Sequence, residues 1–292
     1  MKILNMGSIN IDYIYDVAHI VIPGETLSSN RLTSFPGGKG ANQSVAISKA
    51  GLEVYHAGKV GYDGKWIVKK LQDLGVNTKF IKSVKSPSGQ AFIQRSKDGE
   101  NSIILYKGAN NLIDNTYINS VLKHFKKNDL LLLQNETSNI DNIIKKAKQK
   151  DLKICFNPAP FTKEVLNMEL DKIDYLILNE IEGSRLAEKD TLPKDIIMIL
   201  SEKYPNTEIV LTLGENGVIA IKNGEIFQEN SCKIDVVDTT GAGDTFIGFY
   251  IFGRLKNYGI KETLKLATKA SSIAVTKKGA MDSIPYFSEI IK

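Results

Sequence analysis

From about residue 110 onward, short apolar runs alternate along the chain with segments in which apolar residues recur every three or four positions. The runs are apolar almost throughout, as in strands that are buried on both faces of a parallel sheet. We predict strands at 129–134, 153–156, 174–178 and 208–213. The helical period predicts helices at 139–150, 180–188, 194–203, 242–257 and 261–276. This alternation indicates an α/β fold with a mostly parallel central sheet.

The first third of the chain has a different pattern, in which strand-like segments surround a turn signal. We predict strands at 11–17, 90–96 and 102–106. The last two form an antiparallel pair around the turn Asp98-Gly99. We therefore expect a small β-sheet, inserted as two segments at about 11–35 and 89–108, that covers the α/β body as a lid. The whole chain, residues 1–292, is then a single domain.

The composition is that of a folded protein with a sizeable core. The 292 residues are 42% hydrophobic and 24% charged, with 38 Lys and Arg against 33 Asp and Glu, a net charge of +5. A disordered chain would be poorer in apolar residues and more one-sided in charge. Because the lysines are dispersed among acids, we expect no nucleic-acid partner, whereas small anionic ligands suit the mildly positive chain.

Several patterns bear on where the protein resides. Apolar runs such as Leu130–Leu133 are far shorter than the roughly 18 residues of a membrane-spanning helix. The N-terminal residues have no signal-peptide pattern, so we expect a cytoplasmic protein without a membrane partner. Cys155 and Cys232 stand apart in apolar-flanked segments, and we expect two reduced, buried thiols. The three histidines are scattered, which argues against a histidine-based metal site.

The segment Asp238–Phe246 is the most informative for chemistry. Its Gly241-Ala242-Gly243 lets the backbone turn tightly between a strand, expected to end near Val237, and the next helix. Unpaired N–H groups at a helix start can hold a phosphate or a charge that develops on one. Asp244 follows directly in the sequence. The pattern is compatible with Asp244 as a helix cap and with Asp244 as the base for a hydroxyl nucleophile.

A second glycine-rich segment, Gly37–Gln43, opens a predicted helix. Its glycines allow the backbone to approach a ligand closely. Lys39 and Asn42 lie on one helical face and offer hydrogen-bond donors to a polyhydroxylated ligand. The segment is not a Walker loop, because Gly40 stands where Ser or Thr is required. A purely structural helix start is the alternative.

Two further groups of polar residues accompany these loops. Ser8, Asn10 and Asp12 alternate with isoleucines, and we expect them on one strand face, where they are either solvent-exposed or available to sugar hydroxyls. Glu136, at the carboxyl end of a predicted strand, adds a carboxylate where open α/β sheets bind ligands.

The fourth group follows two neighbouring strands. Asn179 and Glu182 come after one strand, and Thr212–Gly217 ends another. Oxygen ligands there suit Mg²⁺ carried by a nucleotide. A capping box, with Asn179 at the helix N-cap and Glu182 three residues later, is equally compatible with the pattern.

Together these residues resemble the ribokinase-like (PfkB) carbohydrate kinases. The resemblance extends over nearly the whole chain and keeps the family's order of motifs. The matching segments are Gly7–Asp12, Pro23–Thr26, Gly37–Gln43, Lys107–Asn110, Gln134–Glu136, Asn157–Pro160, Asn179–Glu182, Thr212–Gly214, Asp238–Phe246 and Ala274–Ala280. The fold it implies is a three-layer α/β/α sandwich with a small β-sheet lid, which often forms a homodimer interface.

The resemblance also implies roles for individual residues. Asp244 would take the proton from the primary hydroxyl of the sugar as this attacks the γ-phosphoryl of ATP, and the amides of Gly241, Ala242 and Gly243 would stabilise that phosphoryl. The sugar would be held by Asn10, Asp12, Gly38, Lys39, Asn42 and Glu136. The nucleotide would be bound by Asn179, Thr212, Gly214 and Gly217, with Glu182 near Mg²⁺. A K⁺ ion would be held by Asp238, Thr240, Ala274, Lys277, Gly279 and Ser283.

Two positions depart from the family pattern. Trp66 stands where a glycine closes the Gly-x-Asp-x-x-Gly motif, and Phe249 stands where a small residue follows Gly248. We expect altered local packing there without lost chemistry. The leading hypothesis is an ATP-dependent kinase that forms a 5-phosphate from D-ribose. The alternatives are a sister kinase for 2-deoxyribose, a ketohexose or a nucleoside, and a catalytically silent sugar- or nucleotide-binding protein.

Overall fold

The computed structural model describes residues 1–98 and 100–291. Its strands are β1 (Ile3–Met6), β2 (Asn10–Asp16), β3 (Arg31–Gly37), β4 (Val54–Val60), β5 (Asn77–Ser83), β6 (Gly89–Arg95), β7 (Asn101–Tyr106), β8 (Leu130–Gln134), β9 (Lys153–Asn157), β10 (Tyr175–Asn179), β11 (Glu208–Thr212), β12 (Val218–Lys222) and β13 (Glu225–Glu229). Its helices are α1 (Lys39–Lys49), α2 (Lys65–Asp73), α3 (Asn115–Leu122), α4 (Ile140–Lys148), α5 (Glu180–Ala187), α6 (Pro193–Lys203), α7 (Ala242–Leu255), α8 (Ile260–Ala274) and the short α9 (Phe287–Ile290). Short 3₁₀ turns lie at Tyr62–Gly64, Gly108–Leu112, Lys163–Asn167, Leu170–Lys172 and Gly214–Asn216.

The body of the protein is built on one large sheet. Within the described residues its strand order is β13-β12-β11-β10-β9-β8-β1-β4-β5. The neighbours from β11 through to β5 pair in parallel, and β12 and β13 add an antiparallel edge. The mostly parallel α/β sheet predicted from the apolar runs is confirmed.

Helices cover both faces of this sheet because its strands are apolar on both sides. Successive residues of β8 point to opposite faces, so Leu131 and Leu133 join the core under α3 to α6. Leu130 and Leu132 join the core under α1, α2, α7 and α8, where Phe249 is fully buried. The molecule therefore has the three α/β/α layers that we expected.

A smaller sheet has the order β3-β2-β6-β7. Strand β2 pairs antiparallel with β3 and parallel with β6, and β6 pairs antiparallel with β7. Only three residues separate the end of β1 in the large sheet from the start of β2 in the small one. The two sheets are thus joined directly at the residues that we expected to contact a sugar. Of the predicted Asp98-Gly99 turn, Gly99 lies outside the described residues.

Three expectations about local structure are wrong. No strand ends near Val237: β13 ends at Glu229, and Val236 and Val237 lie exposed in an irregular segment before α7. Cys155 is buried in the core, but Cys232 is exposed because it belongs to this same segment. Residues 7–12 do not form one strand, since β1 ends before Ser8 and β2 begins after it.

The helices of the described ranges are too short or too polar to cross a membrane.

Candidate functional site

The start of α7 presents backbone donors to an open cavity. Gly241 precedes the helix with φ +77°, a left-handed conformation that favours glycine. The N–H groups of Gly241, Gly243 and Asp244 donate to no other group of the described residues. The N–H of Ala242, which we expected to join them, donates to the carbonyl of Thr239 at 3.2 Å. A side chain at Gly243 would meet open space. The turn therefore offers three unpaired donors to an anion.

Asp244 does not cap its own helix. Its carboxylate is buried and accepts two hydrogen bonds from α1: Asn42 Nδ2 donates to Oδ2 and Gln43 Nε2 donates to Oδ1, each at 2.9 Å. Two amide donors fix the direction of the carboxylate. The capping alternative is thereby disfavoured, and the geometry suits a proton acceptor.

A second carboxylate lies at the start of α1. Glu136 accepts a hydrogen bond from the N–H of Lys39 at 2.9 Å and another from the Ser8 hydroxyl. That hydroxyl also accepts from the N–H of Gly40 at 3.1 Å. Gly38 is the N-cap of the helix. The glycine-rich segment thus places the Glu136 carboxylate against the N–H groups of the helix start.

Asn10 and Asp12 lie at the beginning of β2 and face this region. The Asp12 carboxylate packs on the backbone of Gly37, the last residue of the neighbouring strand β3. Burial, with the nearby carboxylates of Glu136 and Asp244, raises the pKa of Asp12 to about 7. Asn10 is buried, and its Oδ1 accepts a hydrogen bond from Asn110 Nδ2 at 2.7 Å. The Asn10 amide group is therefore turned so that its donors remain for a ligand.

Lys39 carries a positive charge that interacts electrostatically with these carboxylates. Burial alone would lower the pKa of its ammonium, but the charges of Asp244, Glu136 and Glu182 outweigh burial and raise the pKa. Burial raises the pKa of Glu136 and of Glu182. One ammonium thus serves several carboxylates, an arrangement that suits a ligand with many hydroxyls on one side and phosphates on the other.

Most of the residues that we expected to bind a nucleotide line a cavity of about 330 Å³. Its lining includes Lys39, Asn157, Asn179, Glu182, Thr212, Gly214, Thr239, Gly241, Gly243 and Asp244. Gly217 is not part of it: a side chain there would strike the carbonyl of Glu229, so this glycine serves the approach to β13. The cavity extends from the turn before α7 to the carboxyl ends of β10 and β11. The carboxyl ends of the strands are where open α/β sheets bind ligands.

The capping-box alternative for α5 is present in the structure. The N–H of Glu182 donates to Asn179 Oδ1 at 2.8 Å, and the N–H of Asn179 donates to Glu182 Oε2 at 3.0 Å. Within the described residues, Glu182 Oε1 takes part in no hydrogen bond. The capping role of Glu182 is therefore compatible with metal binding, because one carboxylate oxygen caps the helix and the other remains available. Among the residues that the structure describes, no group of three or more acidic, histidine or cysteine side chains could hold a metal ion.

The residues expected at a K⁺ site connect two loops. Asp238 Oδ1 accepts from the N–H of Thr240 and Oδ2 accepts from the N–H of Gly279, both at 2.9 Å. Ser283 is buried and its hydroxyl donates to the carbonyl of Ala280. The carbonyl of Ala274 accepts from the N–H of Lys277 at 3.1 Å. The set offers a carboxylate and several carbonyls, oxygen donors that suit a hard cation.

Gln43 and Asn157 are site residues to which the sequence analysis gave no role. Gln43 contacts Asp244 directly, and Asn157 lines the cavity and accepts from Gln43 Nε2 at 3.3 Å. Both belong to the matching motifs, and membership in a motif was the available signal. The departures from the family pattern lie away from the cavity lining: Trp66 is partly exposed on α2 and Phe249 is in the core.

Comparison with known proteins assigns the family. The model of the pfkB family carbohydrate kinases matches residues 1–286, and the chain belongs to this family. It is thus a carbohydrate kinase, and the resemblance seen in its motifs is confirmed.

Individual relatives are ribokinases. One from Lactococcus lactis is 36% identical over an alignment of 295 residues, which covers 99% of this chain and 95% of the relative. The structure of a Cryptococcus neoformans ribokinase in complex with ADP has a TM-score of 0.88 and 34% identity, covering 99% of this chain and 98% of that one. The structure of an Arabidopsis thaliana ribokinase complexed with ribose and ATP has a TM-score of 0.86 and 29% identity, covering 99% and 97%.

Proposed function

We propose that this protein transfers the γ-phosphoryl group of ATP to the 5-hydroxyl of D-ribose, giving ribose 5-phosphate and ADP. One observation carries the proposal: the Asp244 carboxylate and the open N–H groups at the start of α7 line the same cavity. A base for a hydroxyl and donors for a phosphoryl group are the two parts that such a transfer needs. The ribokinase relatives, one of them solved with ribose and ATP, support the choice of substrates.

In the proposed reaction, Asp244 accepts the proton of the 5-hydroxyl while the sugar oxygen attacks the γ-phosphorus in line with the leaving oxygen of ADP. Asn42 and Gln43 hold the carboxylate in one orientation during this step. The amides of Gly241 and Gly243 stabilise the charge on the transferring group, and Ala242 joins them when its bond to Thr239 opens. Positioning and charge stabilisation thus account for the catalysis.

The sugar site in this proposal lies between β2 and the start of α1. Asp12 and Glu136 accept from hydroxyl groups, and Asn10, Lys39 and the backbone of Gly38 donate to the ring and hydroxyl oxygens. Asn42 reaches both the sugar and Asp244. The close approach of these groups supports the site, since Lys39 is coupled electrostatically to Glu136 and Asp244.

ATP would bind along the ends of β10 and β11, with Thr212 and Gly214 on the nucleotide side and Asn179 near the phosphates. Mg²⁺ typically keeps several waters and takes few protein ligands, so the Oε1 atom of Glu182 fits it directly or through water. The ion would neutralise charge on the phosphates. Gly217 would support this wall by its packing against β13.

We further propose that K⁺ binds beside the anion turn. Asp238, Ser283 and carbonyls from the segments around Thr240, Ala274, Lys277 and Gly279 would hold it. The hydrogen bonds of Asp238 already connect the two loops that carry these groups. A cation there would add positive potential at the start of α7, where the phosphoryl group is expected.

The small sheet is proposed to act as the lid, made by the segments at about 11–35 and 89–108, and to form a homodimer with a second copy. Support comes from its edge strand β7, where Ile103, Ile104, Leu105 and Tyr106 are all exposed. An apolar unpaired edge favours pairing with another strand. A monomeric state of Ile104→Lys against a dimeric parent in light scattering would agree with this, and a monomeric parent would contradict it. We also place the enzyme in the cytoplasm, where ATP is available.

The test of the function is a coupled assay of ADP formation over a panel of sugars, with and without K⁺. We expect turnover with D-ribose above that with 2-deoxyribose, ketohexoses and nucleosides, stimulation by K⁺, and loss of turnover in Asp244→Asn. Preference for another sugar would overturn the ribose assignment but leave the kinase. ATP binding without turnover on any sugar would overturn the kinase.

A further inference from the structure

A buried series of amide side chains leads from β8 to Asp244. Gln134, the last residue of β8, donates from Nε2 to Gln43 Oε1 at 2.6 Å. Gln43 in turn donates from its own Nε2 to Asp244 Oδ1 at 2.9 Å and to Asn157 at 3.3 Å. Gln43 and Gln134 are fully buried. Buried amides are retained at a cost unless their hydrogen bonds are satisfied, so this series calls for an explanation.

The direction of every amide in the series is fixed from its far end. Asn5 Nδ2 donates to the carbonyl of Gly40 at 2.7 Å and to the Ser44 hydroxyl at 2.9 Å. A backbone carbonyl can only accept, so Asn5 must turn its oxygen toward Gln134, whose Nε2 donates to it at 3.1 Å. Gln134 therefore faces two acceptors with its amide nitrogen.

The same argument then determines Gln43. Its oxygen accepts from Gln134, which leaves its nitrogen, with two hydrogens, for Asp244 and Asn157. Rotating the Gln43 amide would place its oxygen against the Asp244 carboxylate and its nitrogen against that of Gln134. Each of these contacts would be repulsive in a buried site.

We propose that Gln134 and Gln43 are positioning residues that hold the Asp244 carboxylate as an oriented proton acceptor, Gln43 by direct contact and Gln134 by setting the direction of the Gln43 amide. The proposal rests on the function proposed for Asp244. The proposal gives different roles to two residues of one motif. Glu136 contacts the start of α1 at the proposed sugar site, and Gln134 contacts Gln43, which contacts Asp244.

Gln134→Glu tests the direction of the series. A carboxylate at 134 has no hydrogen for Gln43 Oε1, so Gln43 turns its nitrogen toward 134 and its oxygen toward Asp244. We expect the acidic limb of the kcat profile against pH to move upward by about one pH unit or more, equivalent to a tenfold change in proton affinity. The KM for ribose is expected to change less than twofold, because the groups at the proposed sugar site are unaltered.

Gln134→Met decides the question without burying a charge. It removes the donor to Gln43, and we expect kcat to fall about tenfold, again with little change in KM. Ser44→Ala is the matched control: it removes a hydroxyl at the far end of the same cluster, which is expected to lower the melting temperature without moving the pH profile. Unchanged kcat and pH limb in both Gln134 variants would overturn the proposal.

A readout without turnover keeps this test apart from that of the proposed function. The carboxyl carbon of Asp244 can be followed by ¹³C NMR, with Asp244→Asn to identify its signal. We expect the pH midpoint of this signal to lie higher in Gln134→Met, which adds no charge, than in the parent. A higher midpoint supports the positioning role even if no sugar is phosphorylated, and an equal midpoint refutes it.

Discussion

The half-buried carboxyl of Asp12 is predicted to oppose folding above neutral pH. Its pKa rises from 3.8 to about 7, chiefly through burial, with Glu136 and Asp244 adding to the effect. The folded protein therefore keeps a proton on Asp12 up to about pH 7, whereas the unfolded chain releases it near pH 4. Stability must fall as the pH rises through this interval and level off above it, because the unfolded state binds fewer protons there.

The magnitude follows from the shift of about three pH units. At about 1.36 kcal/mol per unit, the raised pKa of Asp12 costs the folded state on the order of 4 kcal/mol at pH 8 and about 1.6 kcal/mol at pH 5. Asn at this position is neutral at every pH. The free energy of unfolding of Asp12→Asn minus that of the parent is thus expected to grow by about 2–3 kcal/mol between pH 5 and pH 8.

Urea denaturation at several pH values measures this difference. Asp190→Asn provides a control at an exposed position, where the difference from the parent is expected to stay constant with pH. Stability differences for Asp12→Asn that are equal at pH 5 and pH 8 would refute the argument. The same carboxyl should make ribose binding weaker by up to about tenfold from pH 8 to pH 6, since the ionised form accepts hydrogen bonds from hydroxyls.

Three other predictions concern the proposed catalytic parts. Asp244→Asn should lower kcat by about 10²–10⁴ while ribose binding, measured by calorimetry, changes little, and near-normal kcat would return Asp244 to a structural role. Gly243→Ala adds a methyl group that meets nothing in the protein, so the melting temperature should hold while kcat/KM for ATP falls at least tenfold; an unaffected kcat/KM would show that no phosphate approaches there. Ribose should slow hydrogen exchange in β6 and β7 if the small sheet closes over it, and identical exchange with and without ribose would argue against closure.

Four neighbouring strands of the large sheet, β8 to β11, could be predicted from sequence because they are apolar on both faces. The helix expected at 180–188 is observed at Glu180–Ala187, and the strand expected at 208–213 at Glu208–Thr212. The prediction of a strand that ends near Val237 was wrong for a physical reason. A run of β-branched residues has strand propensity, but a strand also needs a neighbour to pair with, and this segment lies exposed beyond β13.

The functional residues were harder to predict in proportion to how far apart their partners lie in the chain. Motifs indicated Asp244 and the turn before it, since both are local. The role of Gln43 depends on Gln134, 91 residues away, and on Asp244, 201 residues away. Nothing in the neighbourhood of Gln43 specifies those contacts, which arise when α1 packs against α7 and the strand ends.

The separation between α1 and Asp244 has a consequence for synthesis of the protein. Asn42 and Gln43 leave the ribosome about 200 residues before the carboxylate that they bind. At about 5–20 residues per second, α1 waits on the order of 10–40 s for its partner. A nascent or truncated chain that stops before residue 244 would carry the proposed sugar-binding groups without a base. The enzyme is therefore expected to become active only when nearly all of its chain has been made.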